Sequence, residues 1–371
     1  MNWAAWADDQ LTEIRRVDRW RSLVPFDAEG PVGTLRGRHV IAFASNDYLG
    51  LSQHPRVRRA ACAAIETFGT GSTASRLVVG TRSLHAELEA ALATWKHSER
   101  ALVFPTGFAA NLGVLSVLGG PDVTIFSDQL NHASIIDGCR LARATTRIYR
   151  HLDLDDLETQ LREAPGRRIV VSDSVFSMDG DVAPLAQLAG LCARYDALLI
   201  LDEAHAVLGP EPPLSECELL RVGTLSKTLG SLGGWVAGSR ALIELFINRS
   251  RSFIFTTGLS PADAAAGLAA LSILTSAEGD ALRAHLRTLI DELDNAHPSP
   301  IVPVVLGEDR AALQAAHELL ERGLYIPAIR PPTVPRGTAR LRIALSAAHT
   351  MPMVQQLRSA LQSLSVPRVV V

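Results

Sequence analysis

The chain has 371 residues, of which 47% are hydrophobic and 20% charged, with a formal net charge of −3 at pH 7. That balance excludes a disordered chain, and dispersed charge without a basic stripe interleaved with aromatics argues against a nucleic-acid partner. No apolar run is long enough to cross a bilayer, and the amino terminus has neither the basic start nor the apolar core of a signal peptide, so a cytoplasmic protein is expected.

Taken in chain order, Leu11, Ile14 and Val17 stand at helical spacing and predict a first helix ending near Ser22. A short strand follows at residues 40–43. From Pro55 to about Gly258 short apolar runs at residues 101–104, 123–126, 168–171, 197–201 and 234–237 read as strands. Amphipathic stretches between them, at 83–95, 133–141, 154–161 and 185–194, read as helices. Strands alternating with helices imply crossover units and a mostly parallel sheet covered on both faces, an α/β fold. After Leu259-Ser-Pro261 the texture changes to a long helical region, strands near 301–306, 324–329 and 340–345, and helices at 311–321 and at the end. The expected division is an N-terminal helix and linker (1–40), a large α/β domain (41–258) and a smaller α+β C-terminal domain (259–371).

The basic residues are 34 arginines and two lysines, Lys96 and Lys227. Arginine cannot be deprotonated in a protein and so cannot attack a carbonyl carbon, whereas lysine can. Lys96, in Ala-Thr-Trp-Lys-His-Ser, ends an apolar helical pattern and reads as a solvated surface charge. Lys227 lies in Thr224-Leu-Ser-Lys-Thr-Leu-Gly-Ser-Leu-Gly-Gly234, between small hydroxyl residues and a glycine-rich turn, and reads as a nucleophilic amine. Cys62, Cys139, Cys192 and Cys217 are far apart and match neither metal-ligand spacing nor a disulfide framework, so reduced thiols and no metal are expected.

Ala197-Leu-Leu-Ile-Leu-Asp202-Glu-Ala-His205 is an apolar strand ending in a carboxylate, with a histidine beyond. Ligands of open α/β sheets bind at the carboxyl ends of strands. A lysine and a buried acid suit pyridoxal 5′-phosphate (PLP): the lysine attaches it, and the acid keeps the pyridine nitrogen protonated so that the ring acts as an electron sink. Phe104-Pro-Thr-Gly107-Phe108 opens a helical pattern after a strand, offering free N–H groups and a favourable dipole to a phosphate. Thr224 is placed to add a hydroxyl there. His132 follows another strand and is suited to stack on a flat ring. Ser177, in Asp173-Ser-Val-Phe-Ser177-Met-Asp-Gly180, is placed to donate to the ring's phenolate oxygen. Gly107, His132, Ser177, Asp202 and His205 all fall at strand ends on one rim of one sheet.

The stretches Ser45-Asn-Asp-Tyr-Leu-Gly-Leu51, Gly69-Thr-Gly-Ser-Thr-Ala-Ser-Arg76, Thr106-Gly-Phe-Ala-Ala-Asn111, 173–180, 202–205, 224–234 and 330–342 together resemble the α-oxoamine synthase family. That family lies within the fold-type I, aspartate aminotransferase-like, PLP-dependent transferases. The resemblance implies that Lys227 holds the cofactor and then acts as acid/base, with Asp202 on the pyridine nitrogen, His205 and Ser177 on the phenolate side, and His132 stacked on the ring. It places Gly107, Phe108 and Thr224 at the phosphate, Arg342 at the substrate carboxylate, Asn46 and Ser75 near the substrate or the neighbouring subunit's cofactor, and Thr333 and Arg21 at the acyl substrate. The 330–342 stretch looks most like the biotin-pathway branch of the family, a resemblance that implies L-alanine and a pimeloyl thioester, carried on coenzyme A or acyl carrier protein, as substrates; the family resemblance also implies a homodimer. The alternatives are glycine with another acyl-CoA, or a PLP-binding protein without turnover. Three features depart from the family pattern: Asp173 stands in place of a glutamate, Thr73-Ala74 replaces a glycine pair, and residues 206–222 are short and proline-rich.

Overall fold

The computed structural model describes residues 2–17, 19–213 and 216–365. The chain divides into two compact units. One comprises Met1–Asn46, Met178–Gly180 and His285–Val371; the other comprises Asp47–Ser177 and Asp181–Ala284. The strands, in chain order, begin with β1 (Phe26–Glu29), β2 (Val32–Leu35) and β3 (Arg38–Ala42). The larger unit then carries β4 (Arg100–Phe104), β5 (Val123–Asp128), β6 (Thr145–Tyr149), β7 (Arg167–Asp173), β8 (Ala197–Asp202), β9 (Leu219–Thr224) and β10 (Gly234–Gly238). The smaller unit resumes with β11 (Ile301–Gly307), β12 (Leu324–Tyr325), β13 (Ala328–Ile329) and β14 (Ala339–Ala344).

The larger unit is built on a seven-stranded sheet in the order β4-β10-β9-β8-β7-β5-β6. β10 runs antiparallel to both its neighbours, and the other neighbouring pairs are parallel. β5 is buried at every position, as expected of a continuous apolar run in a parallel sheet. One core cluster gathers Phe104, Val114, Ile125, Ile135, Val171 and Phe246; another gathers Phe126, Tyr149, Leu157, Val170, Leu188 and Leu199. Ile125 and Val171 alternate with Phe126 and Val170 along their strands, so the two clusters fill opposite faces of the sheet. This is the fold expected from the sequence: a large, mostly parallel sheet, with a smaller unit rich in antiparallel pairs.

The helices Ser83–Trp95, Ala133–Leu141 and Leu185–Arg194 coincide with the sequence reading, because each has a defined apolar stripe. Elsewhere the structure differs. The first helix is Trp3–Arg16 and stops short of Ser22. β6 is a polar edge strand, largely exposed. β9 was hidden because Arg221 interrupts its apolar run, yet that arginine is only 1% exposed. In the smaller unit β1, β2, β3 and β12 form one sheet, and β11, β14 and β13 another.

Candidate active site

The carboxyl ends of five strands deliver the chemistry in the larger unit. β4 leads to Gly107, β5 to His132, β7 ends in Asp173, β8 ends in Asp202 and leads to His205, and β9 ends in Thr224, three residues before Lys227. Asp173 and Asp202 stand opposite each other in the β7–β8 register. A cavity of about 190 Å³ opens on this rim. Gly107, Phe108, His132, Asp202, His205, Thr224 and Lys227 line it, with Asn111, Ser134 and Asp173.

Lys227 is half-buried, and its Nζ lies 2.8 Å from His205 Nε2. The other ring nitrogen, Nδ1, is 2.6 Å from the Tyr48 hydroxyl, so a buried phenol orients the imidazole that faces the amine. The loop carrying Lys227 is tied at its base: Thr224 Oγ1 donates to the Gly233 carbonyl at 2.7 Å and accepts from the Ser226 N–H at 3.0 Å. Gly230 is required beside it. Its φ is +58°, and an added Cβ would lie 2.3 Å from the Ser52 nitrogen. The Leu51–Ser52 backbone therefore packs directly against the lysine loop. There Asp47 accepts from the N–H groups of Leu51 and Ser52 at 2.9 and 3.1 Å.

Asp202, 5% exposed, accepts from Asn111 Nδ2 at 2.6 Å and from the Ala204 N–H at 2.9 Å. Asn111 also donates to Ser134 Oγ at 2.9 Å, and that hydroxyl lies 2.7 Å from His132 Nδ1. Asp173 accepts from the His132 N–H at 2.7 Å, which fixes where the histidine stands. Burial, and then the nearby Asp202 charge, push the Asp173 carboxyl well above the usual carboxylate range. Withdrawal from water lowers the His132 pKa; the Lys227 charge adds to this and the Asp202 charge opposes it. Phe108 meets the His132 ring edge-on at 6.5 Å between centroids.

The helix Gly107–Leu118 begins at the cavity, capped by Thr106 Oγ1, which accepts from the Ala109 N–H at 3.0 Å. The N–H groups of Gly107 and Phe108 have no carbonyl to bind within the helix. A Cβ on Gly107 would sit 3.3 Å from Thr224 Cβ, so the helix start and the end of β9 are in contact.

Residues 38–361 match the family model of aminotransferase class I and II. An 8-amino-7-oxononanoate synthase of Anaeromyxobacter dehalogenans is 48% identical, over 96% of this chain and 94% of its own length. That of Geobacter sulfurreducens is 46% identical, over 92% and 93%. The chain belongs to the 8-amino-7-oxononanoate synthase family. Among solved structures, a Sphingomonas wittichii serine palmitoyltransferase is 30% identical, covers 98% of each chain and has a TM-score of 0.90. An SPT chain solved with PLP has the same values. A Francisella tularensis 8-amino-7-oxononanoate synthase has a TM-score of 0.74 at 29% identity, over 87% of this chain and 96% of that one.

The residues present fit the cofactor of this fold family. An unsubstituted helix start faces a hydroxyl, as a phosphate requires, and a buried carboxylate and a lysine amine line the same cavity. Asn111 Oδ1, buried beside Asp202, has no protein partner among the described residues.

The remaining expected residues of this family member lie as follows. Ser177 sits in the turn after β7 and is not among the residues lining the cavity. Ser75 is half-buried ahead of a single π-turn, Arg76–Gly80, with its carbonyl accepting from the Gly80 N–H at 3.0 Å. In the smaller unit Arg342, 5% exposed on β14, donates to Asn46 Oδ1 at 3.1 Å, so two residues read as substrate-binding meet there. Thr333 and Arg21 are exposed.

Lys96 is a correction. It is not a solvated surface charge but 3% exposed, 2.7 Å from Glu203 Oε2 and 3.6 Å from the centre of the Trp95 ring. Arg221 and Glu211 complete the cluster. Glu203 follows Asp202, and its partners come from a helix end and from β9; no local pattern announces such a meeting. Sequence reading also gave no role to Tyr48, Asn111 or Ser134, although Tyr48 and Asn111 lie in family-like stretches.

Proposed function

We propose that the chain is a PLP-dependent acyltransferase that condenses L-alanine with a pimeloyl thioester, on coenzyme A or acyl carrier protein, to give 8-amino-7-oxononanoate, carbon dioxide and free thiol. The observation that carries this reading is the Lys227 amine held by His205 in a cavity shared with Asp202 and a helix start. It is joined to the 48% identity with a named synthase over nearly the whole chain. PLP, when bound, supplies the electron sink that stabilises negative charge at the alanine α-carbon.

Lys227 is the attachment amine and, once free, the base that takes the α-proton. His205, fixed by Tyr48, holds that amine in place. Asp202 is the carboxylate for the pyridine nitrogen, kept in position by Asn111. His132 presents its ring to the cofactor face, and the N–H groups of Gly107 and Phe108, with the Thr224 hydroxyl, take the phosphate. Ser177 is assigned to the phenolate side, Arg342 to the substrate carboxylate, Asn46 and Ser75 to the substrate or a partner subunit's cofactor, and Arg21 and Thr333 to the acyl substrate. Assembly as a homodimer belongs to the same proposal.

Replacing Lys227 by Ala, with folding checked by circular dichroism, is expected to lower thiol release from pimeloyl-CoA in the presence of alanine by about 1,000-fold or more. Substantial turnover in that variant would sink the proposal. Glycine or acetyl-CoA as the better substrate would move the chain to another reaction of the same chemistry.

A further inference from the structure

Behind the wall of the Lys227 cavity lies a second cavity, of about 420 Å³. Ala204 and Thr224 line both, so the two are one residue layer apart. At the end of β8, Asp202 lines the first cavity and its neighbour Glu203 lines the second. Glu203 is gripped there by two buried cations. Its Oε2 lies 2.7 Å from Lys96 Nζ, and its Oε1 accepts from Arg221 Nε. Arg221 Nη1 also donates to the Lys96 carbonyl at 3.3 Å. Glu211, from the proline-rich segment that departs from the family pattern, pairs with Arg221 and lies 3.7 Å from Lys96 Nζ. Burial would raise the Glu211 carboxyl, but Lys96 and Arg221 hold it below the usual range, so it stays charged. Two cations thus face two carboxylates. Arg283, also in this wall, is paired with Asp280. The wall itself is apolar: Trp235 meets Trp95 edge-on, and a Cβ on Gly223, which lines the Lys227 cavity, would lie 2.3 Å from the Trp235 ring.

We propose that Lys96, Glu203, Arg221 and Glu211 form a charge-balanced positioning cluster, which acts through the Asp202–His205 turn and the Ala204–Thr224 wall to set how tightly the Lys227 nitrogen holds its proton. The proposal rests on Lys227 being the attachment amine. Two routes carry the effect. The backbone of Glu203 is fixed at both ends, its N–H donating to the Val222 carbonyl at 2.7 Å and its carbonyl accepting from the Ala206 N–H at 3.1 Å. The side-chain grip therefore fixes the turn that presents His205 to the amine at 2.8 Å. The second route is the field. The groups facing the Lys227 amine are His205, with Tyr48 on its far side, and His132, Asp173 and Asp202 around the same cavity. A neutral cluster behind the wall adds little to their field, whereas one unbalanced charge in an apolar setting moves an amine by about one pH unit. The sign follows from the charge: a surplus cation loosens the proton, and a surplus carboxylate tightens it.

The test is a pH titration of the full-length protein with PLP bound, following the visible absorbance that reports the proton on the Lys227 nitrogen. Glu203→Gln leaves one cation in surplus and should lower the midpoint by about one pH unit. Lys96→Met leaves one carboxylate in surplus and should raise it by a similar amount. The double variant, Lys96→Met with Glu203→Gln, is balanced again and should titrate close to the unaltered protein. Glu211→Gln removes a carboxylate whose side chain is 64% exposed, so folding is at little risk, and it should lower the midpoint by about half a unit. A purely structural cluster would change resistance to urea and leave these midpoints where they are. An unmoved midpoint in Glu211→Gln, or shifts of the same sign in Glu203→Gln and Lys96→Met, overturns the proposal. Borohydride reduction and peptide mapping of the unaltered protein separate this from failure of the active-site reading: a cofactor adduct away from Lys227 would overturn that reading, and this proposal with it.

Discussion

His151 makes the stability of the larger unit depend on pH, in a direction that can be worked out in advance. Its Nδ1 lies 2.8 Å from Asp128 Oδ1 and its Nε2 lies 2.6 Å from Asp181 Oδ2, with the ring 23% exposed. Burial alone would lower its pKa, but the two carboxylates overcome that and raise it from 6.5 to about 9. A folded-state value above the unfolded one means that the native protein holds the extra proton. The stabilisation is therefore complete below pH 6.5 and is lost as pH rises through about 9. A shift of this size corresponds to about 3 kcal/mol, with a steepest slope near 1.4 kcal/mol per pH unit. The histidines with lowered values do not mask it. His85 is pushed down to about 4 by burial, so its contribution is lost as pH falls below 6.5, outside this window. The assay is urea unfolding of the protein and of His151→Gln at half-unit steps from pH 6 to 9.5. The variant should be less stable at pH 6, and the gap should close towards pH 9.5. Parallel pH profiles for the two proteins between 6.5 and 9 would refute the reasoning.

Three further perturbations probe the neighbouring groups. Asn111→Ala removes the 2.6 Å hydrogen bond to the Asp202 carboxylate; a charge-assisted bond of about 2 kcal/mol predicts roughly 30-fold weaker PLP binding, read by fluorescence titration of the apo-protein. Unchanged affinity would show that Asp202 needs no such support. Tyr48→Phe removes the phenol from His205 Nδ1, so the pH profile of kcat/KM should shift and its maximum fall by about 10-fold, while an unchanged profile would show that Tyr48 does not position His205. Lys96→Met strips the 2.7 Å partner from a glutamate whose side chain is 3% exposed and should destabilise the fold by about 3 kcal/mol in denaturant, with cofactor attachment at Lys227 retained.

Much of the site was legible because it is written at strand ends. An apolar run followed by Asp202 or by Pro-Thr-Gly107 marks both a strand and its carboxyl edge, and a parallel sheet brings such edges to one rim. The groups that hold the functional residues were not legible in this way. Tyr48 reaches His205 across 157 positions, and Asn111 reaches Asp202 across 91. Neither sits in a pattern that distinguishes a hydrogen-bonding partner from an ordinary buried polar residue. β9 escaped for a related reason: a buried arginine breaks its apolar run, and only the carboxylates it meets in three dimensions make that burial tolerable.

The two lysines show where residue type informs and where it misleads. Scarcity singled both out, and local sequence then separated them into a nucleophile and a surface charge. For Lys227 the separation rests on neighbours that are close in sequence: Thr224 and Gly233 shape its loop, and Gly230 lets that loop lie against Ser52. For Lys96 the deciding neighbours are remote. Arginine is the chain's usual cation, yet here the space beside the Trp95 ring and Glu203 holds a compact ammonium, while Arg221 fills the adjoining position with its planar fork. A rare residue is therefore a sign of a demanding environment. The demand is chemical where the residue faces a cavity that admits a ligand, as Lys227 does. It is electrostatic where the residue is buried against partners of opposite charge, as Lys96 is beside Glu203.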